Sequence, residues 1–172
     1  MIELANQSPA GSNGLIFLPY INGERAPIWD SNAKGSFFGV KNTHTAFDFA
    51  RSVLEGVAFS IRSIMEASGQ TGISTLRLLG GGSKIPLWCQ IRADILGVAV
   101  ETVDCAEACA QGSAMIAGVG IGVYSSYQEA AEKTCKVGER YEPQIENREV
   151  YNRNYRVYKA LYENTKELMK EV

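Results

Sequence analysis

The chain has 172 residues, of which 45% are hydrophobic and 21% are charged, and its formal net charge is −2. This composition is ordinary for a globular domain, and the absence of a basic excess argues against a nucleic-acid partner. No apolar run approaches the roughly 20 residues that a membrane-spanning helix requires. The first residues lack the basic and apolar segments of a signal peptide, so we expect a cytoplasmic protein without a membrane partner.

The first 40 residues are predicted to consist of loops and two short strands. Residues 15–18 form an apolar run that ends at Pro19, a residue that central strands exclude. Residues 36–40 are the second strand candidate, and residues 29–35 between them have the composition of an exposed loop.

A long helix is predicted to begin next to Thr45. Thr45 and Asp48 have the spacing of a capping box, and apolar residues then recur with a period of 3.6 as far as Met65. Gly69 is suited to end this helix. Glu55 lies within it, and the spacing alone leaves open whether its carboxylate is solvated or buried with hydrogen-bond partners.

A glycine-rich turn at residues 80–83 separates a predicted strand at 75–79 from a predicted helix at 86–96. Three consecutive glycines allow positive φ and the close approach of a ligand to the backbone. The N-terminus of the following helix favours an anion. We interpret the turn as a nucleotide or phosphate pocket at the carboxyl end of a strand, although a plain tight connection would also account for it. It matches neither the Walker A pattern nor the dinucleotide fingerprint.

The remaining elements complete an alternating pattern. A strand at 98–103 is followed by a helix of small residues at 110–120, which would pack closely against a sheet or another helix. Helices and strands thus alternate from residue 45 to residue 119, which predicts an α/β fold with parallel strands. A C-terminal helix is expected to dock on the rest of the chain through residues at helical spacing, namely Tyr151, Tyr155, Tyr158, Leu161, Tyr162 and Leu168.

The four cysteines and the single histidine give little support to a metal site or a nucleophile. No two cysteines form a Cys-x-x-Cys pair, so a zinc site is not expected. Cys89, Cys105 and Cys109 lie among apolar residues and are predicted to be small core residues. His44 comes just before a helix start and is a poor candidate for a catalytic triad. No metal ligand is predicted.

Four segments, in the family's own order, resemble motifs of the FGGY carbohydrate kinases. They resemble the loop before the second signature, that signature, the adenosine motif and a small-residue helix, and they cover residues 14–29, 35–55, 80–97 and 107–120. These core motifs lie within residues 8–122, and residues 123–172 are expected to form a helical tail of the same single domain, 1–172.

The resemblance implies an α/β domain of the ribonuclease H-like, actin-like ATPase class, as the second copy of the sugar kinase fold without its first strands. It implies transfer of the γ-phosphoryl group of ATP to a sugar hydroxyl, with Mg²⁺ as a cofactor. In the family the adenosine rests on the glycine turn, which corresponds here to Gly81, Gly82 and Ser83, with Pro86 at the helix start. We therefore expect an adenine nucleotide as a ligand.

The resemblance also implies that parts of a complete kinase are absent. The N-terminal sugar-binding domain and the catalytic aspartate would precede Met1, so no catalytic residue is assigned to this chain. Phosphoryl transfer needs a base, a metal and positioning together, and the chain alone is expected to be inactive. A sugar would bind only with the missing domain. The missing strands would leave an open sheet edge, and a homodimer is one hypothesis for how it is covered.

Residues 23–27 and 36–39 resemble the xylulose and gluconate kinase branches more than the glycerol kinase branch. Residues 110–123 look more like those of xylulose kinases, so xylulose is the expected sugar. Gluconate or another sugar or sugar acid is the alternative. A second hypothesis is a non-catalytic interaction module derived from such a kinase, which would bind a partner chain and no nucleotide. A third is an unrelated α/β enzyme with an anion pocket.

Overall fold

The computed structural model describes residues 1–105 and 107–172 of the chain. None of the described helices is both long and apolar enough to cross a membrane. The helices and strands are, in chain order, α1 (Ile2–Ala5), β1 (Ile16–Leu18), β2 (Ser36–Phe38), α2 (Ala46–Ala67), β3 (Thr75–Leu78), α3 (Pro86–Leu96), β4 (Ala99–Val103), α4 (Ala108–Gly120), α5 (Tyr127–Thr134), β5 (Val137–Tyr141) and α6 (Arg148–Thr165).

The strands form two small sheets. β1 and β2 pair antiparallel, with Phe17 opposite Phe37. The second sheet has the order β3-β4-β5, in which β3 and β4 are parallel and β4 and β5 are antiparallel. The predicted α/β layer with parallel strands is therefore present, with α3 as the connection between β3 and β4. β5 was not predicted from the sequence, and its addition makes the sheet mixed.

Helix α2 begins as its capping box predicts. The Thr45 side chain accepts a hydrogen bond from the N–H of Phe47, and the Asp48 carboxylate accepts one from the N–H of Thr45 at 2.8 Å. Burial opposes ionisation of Asp48, but hydrogen bonds from Thr45, Ser8 and Asn13 outweigh it and hold the pKa of the carboxyl below its usual value. The entry of the chain into α2 is thus fixed by local contacts.

The C-terminal helix docks on α2 through a cluster of aromatic rings. The ring of Phe59 lies 5.5 Å from that of Tyr158 and 5.8 Å from that of Tyr155, between centroids. The predicted docking face is confirmed for the residues of α6 itself. The prediction is wrong for Leu168, which is 69% exposed, whereas Met169 is buried. Helix α6 ends at Thr165, so the helical spacing of the docking residues does not predict the environment of Leu168.

Glu55 is only 1% exposed, so its carboxylate is buried and not solvated. Its carboxylate accepts hydrogen bonds from the Gly11 N–H (2.9 Å), the Ser12 hydroxyl (2.9 Å), Arg51 Nε (2.8 Å) and the Tyr151 hydroxyl (3.0 Å). Burial raises the pKa of this carboxyl, and the interactions with Arg51, Gly11 and Ser12 oppose that shift. One side chain therefore connects the N-terminal loop, α2 and α6.

Helix α4 packs against another helix, which is one of the two environments predicted from its small residues. It packs on α5 and on the turn between the two helices, where the Tyr124 ring lies 2.8 Å from the position of a Cβ on Gly118. Gly118 is the one buried residue among the 13 of this helix. The prediction that Cys109 is a core residue is wrong, because its helix lies at the periphery; Cys89 is buried as expected, and Cys105 is half-buried.

Replacement of Glu55 tests the buried carboxylate. We expect Glu55→Ala to lower the free energy of unfolding by about 3–5 kcal/mol, since it leaves Arg51 buried without its carboxylate. Glu55→Gln should cost less, because one amide oxygen still accepts hydrogen bonds from the same donors. Urea denaturation followed by circular dichroism measures both. Glu146→Ala, at an exposed position, is the control, and a loss for Glu55→Ala no larger than its own would contradict the structural role.

Candidate functional site

The glycine-rich turn has the strand-turn-helix geometry that the sequence predicts. Gly80 follows β3 with φ +83°, and a 3-10 turn covers Gly81–Lys84 before α3 begins at Pro86. The Ser83 hydroxyl closes the turn by donating to the Gly80 carbonyl at 2.7 Å. Among the three consecutive glycines only Gly80 has positive φ, so the need for unusual backbone conformations explains one of them.

The three glycines differ in the space around them. A Cβ added to Gly80 or Gly81 would meet no other heavy atom within 4 Å, so the turn is open to a ligand at these two residues. A Cβ on Gly82 would lie 2.9 Å from Nη2 of Arg92 and 3.1 Å from Cζ3 of Trp88. The missing side chain of Gly82 makes room for Arg92, and the predicted contact of Gly82 with a nucleotide stays a prediction.

Arg92 is the functional candidate that the sequence pattern did not reveal. Its side chain is 8% exposed, and its Cζ lies 4.0 Å from the centre of the Trp88 ring. Trp88 is itself held by a hydrogen bond from Nε1 to the carbonyl of Leu54 in α2. Burial lowers the pKa of the Arg92 guanidinium. The sequence feature that could have identified Arg92 is its position on the apolar face of α3, next to Ile91 and one turn after Trp88.

Arg92 has no counter-charge among residues 1–105 and 107–172. Its Nε is buried without a hydrogen-bond partner, and none of the ion pairs of the described residues includes it. A buried guanidinium nitrogen without a partner is uncommon, because the loss of hydration is normally offset by a carboxylate or another acceptor.

A cleft of about 500 Å³ opens beside the turn, between the ends of β4 and the start of β5. Ser83 and Lys84 form its wall on the side of the turn, and residues 102–105 and 136–139 form the rest. The cleft lies where the parallel strands β3 and β4 end, which is the usual ligand position in open α/β sheets. Of the residues predicted for nucleotide binding, Ser83 lines the cleft, whereas Gly81, Gly82 and Pro86 do not.

The side chain of Cys89, in α3, contacts the backbone of the glycine-rich turn. Its thiol lies 3.4 Å from the Ser83 carbonyl, as a weak hydrogen-bond donor, and its side chain is fully buried. Burial raises the pKa of the thiol, so it remains protonated and unreactive at neutral pH. Cys89 is therefore a structural residue of this site.

No group of three or more metal-ligating side chains occurs in the part of the chain that the structure describes. His44 has a local role: its Nδ1 accepts a hydrogen bond from the Lys41 N–H at 3.0 Å, and its Nε2 lies 3.3 Å from the Asn13 carbonyl. These contacts hold the loop that precedes α2.

Substitutions at the glycines test how the turn is packed. We expect Gly82→Ala to cost about 1–3 kcal/mol in unfolding free energy, since its Cβ displaces the Arg92 guanidinium from Trp88. In the Arg92→Ala background the same substitution should cost less, which a double-mutant cycle measures. Gly81→Ala, which points into open space, should be neutral or slightly stabilising. Equal costs of Gly82→Ala in both backgrounds would contradict the contact.

The chain is similar to known proteins in sequence and in fold. Residues 2–121 match the model of the FGGY family of carbohydrate kinases, C-terminal domain. The chain is 37% identical over 170 residues to a xylulose kinase of Staphylococcus epidermidis, an alignment that covers 98% of this chain and 34% of that protein. It therefore spans about a third of the length of this relative.

Two solved structures have the same fold. The ligand-bound xylulose kinase from Lactobacillus acidophilus aligns with a TM-score of 0.88 and 28% identity, over 95% of this chain and 34% of that one. The gluconate kinase from the same organism aligns with a TM-score of 0.86, 28% identity and the same coverage. The expected actin-like ATPase fold of the sugar kinases is thus confirmed. The chain belongs to the FGGY family of carbohydrate kinases and matches its C-terminal domain.

Proposed function

We propose that this chain is the nucleotide-binding part of an ATP-dependent sugar kinase, which transfers the γ-phosphoryl group of ATP to a sugar hydroxyl. The observation that carries the proposal is the open backbone of Gly80 and Gly81 at the end of β3, next to the N-terminus of α3 and the cleft. The proposal is also supported by membership of a carbohydrate kinase family.

In this proposal, different parts of the turn contact the adenosine and the phosphate groups of the nucleotide. The adenosine rests on Gly81, where no side chain obstructs its approach. The first phosphate lies towards the N-terminus of α3, whose free N–H groups and dipole stabilise negative charge. Ser83 and Cys89 hold the turn in its bound shape through their contacts within it, so little ordering is needed when the ligand arrives.

Chemistry on the sugar requires groups that the described residues do not place together. The cleft contains two carboxylates, Asp104 and Glu139, and the described residues form no group of three or more metal-ligating side chains. We therefore assign no step through a metal to this chain. Because the alignment covers 34% of the xylulose kinase relative, we propose that the catalytic base and the sugar contacts belong to the rest of such a kinase.

Xylulose is the proposed sugar, and gluconate is the second candidate. The relative at 37% identity is a xylulose kinase, which favours the first. The solved xylulose and gluconate kinases have nearly equal TM-scores, so the fold does not separate the two sugars. A cytoplasmic location and a homodimer remain predictions. β3 pairs only with β4 in the described part of the chain, and sedimentation velocity would show whether a second copy associates.

Titration of the 172-residue chain with ADP tests the proposed site. We expect saturable binding that Gly81→Val weakens by at least about tenfold, because the valine side chain occupies the space of the adenosine. Isothermal titration calorimetry measures the affinity. Gly120→Val, which introduces the same side chain into open space at the end of α4, is the matched control.

Two outcomes would contradict this proposal. If Gly81→Val bound ADP as the unmodified chain does, the turn would not be the adenosine site. If a chain with a native circular dichroism spectrum bound no nucleotide, the interaction-module hypothesis would replace the kinase assignment for this chain.

A further inference from the structure

Two arginines of this chain are buried to the same degree but have different surroundings. Arg51 and Arg92 are each 8% exposed. Arg51 donates to the Glu55 carboxylate at 2.8 Å, to the Ser8 carbonyl at 2.9 Å and to the Tyr151 hydroxyl at 3.0 Å. The guanidinium of Arg92 lies over the face of Trp88 and forms no ion pair with residues 1–105 or 107–172. The burial of Arg92 is thus not compensated from within the described chain.

The position of Arg92 directs its charge towards the glycine turn. Side chains of an α-helix point back towards its N-terminus, so the guanidinium extends from the middle of α3 to the first turn of the helix. There both Nη atoms lie against Gly82, at 2.9 and 3.2 Å from the place where a Cβ would be. A glycine at position 82 is what allows the guanidinium to reach the backbone of the turn.

The charges that line the neighbouring cleft do not supply a partner. Lys84 and Lys136 bring two positive charges to it, and Asp104 and Glu139 bring two negative charges. The formal charges of these four side chains sum to zero, so the cleft has no excess of negative charge. The positive charge of Arg92, which is not among the residues lining the cleft, remains uncompensated beside the turn.

We infer that the Arg92 guanidinium binds a phosphate group of the adenine nucleotide held by the turn, and this inference rests on the function proposed above. A guanidinium presents several N–H donors in a plane and can bind two phosphate oxygens at once. The phosphate nearest the turn would also face the N-terminus of α3, where negative charge is favoured. The nucleotide would thereby supply the counter-charge that Arg92 lacks.

A comparison of ADP with adenosine separates a phosphate contact from a structural role. We expect Arg92→Met to weaken the binding of ADP by about 10- to 100-fold, the range for a hydrogen bond to a charged group, and to leave the affinity for adenosine unchanged. Arg92→Lys should retain part of the preference for ADP because it keeps the charge. Calorimetric titration of the 172-residue chain gives both affinities, and Arg92→Gln replaces the methionine variant if that one fails to fold.

Arg156→Met, at an exposed position of α6, is the matched control for the removal of one positive charge. Unchanged ADP binding in Arg92→Met, or an equal loss of ADP and adenosine binding, would overturn the inference. The proposed adenosine site is judged separately by Gly81→Val, which should weaken both ligands. A folded chain that bound neither ligand would overturn both proposals.

Discussion

The buried carboxylate of Glu55 is the interaction on which the arrangement of the chain depends. It accepts hydrogen bonds from Gly11, 44 residues earlier in the sequence, and from Tyr151, 96 residues later. These bonds fix α2 relative to both the N-terminal loop and α6. Leu54, which precedes Glu55 in α2, accepts a hydrogen bond from Trp88 through its carbonyl oxygen, and the Trp88 ring contacts the Arg92 guanidinium. The position of the glycine turn thus follows from the position of α2.

The elements that local contacts determine were predictable from the sequence. The capping box at Thr45 and the proline and glycine that bound α3 each act within a few residues, and the predicted ends agree with the observed ones. β5 was missed because most of its residues are exposed and its pairing depends on β4, more than 30 residues away. The packing of α4 on another helix agrees with its small residues, but the identity of that helix could not be predicted, because small residues permit close packing without specifying the partner.

The candidate site was predictable in part. The glycine turn and the helix start at Pro86 could be located from residue types and from the resemblance to a family. The separate roles of Gly81 and Gly82 could not, because they depend on which side chain occupies the space next to each backbone position. Arg92 lies ten residues after Gly82, and the two are in contact because of the orientation of α3 relative to the glycine-rich turn. The sequence pattern does not specify that orientation.

The contrast between Arg51 and Arg92 connects stability with function. The partners of Arg51 are part of the fold, so its burial is compensated whenever the chain is folded. Within the described residues Arg92 forms no ion pair and its Nε is buried without a partner, and the folded chain without ligand bears this cost. A nucleotide that pairs with Arg92 would relieve this cost and would stabilise the folded state by an amount that rises with the logarithm of its concentration relative to its dissociation constant. Substitution of Arg92 by an apolar residue would then change stability and binding in opposite directions. It removes a buried charge that destabilises the chain without ligand, and it also removes the phosphate contact.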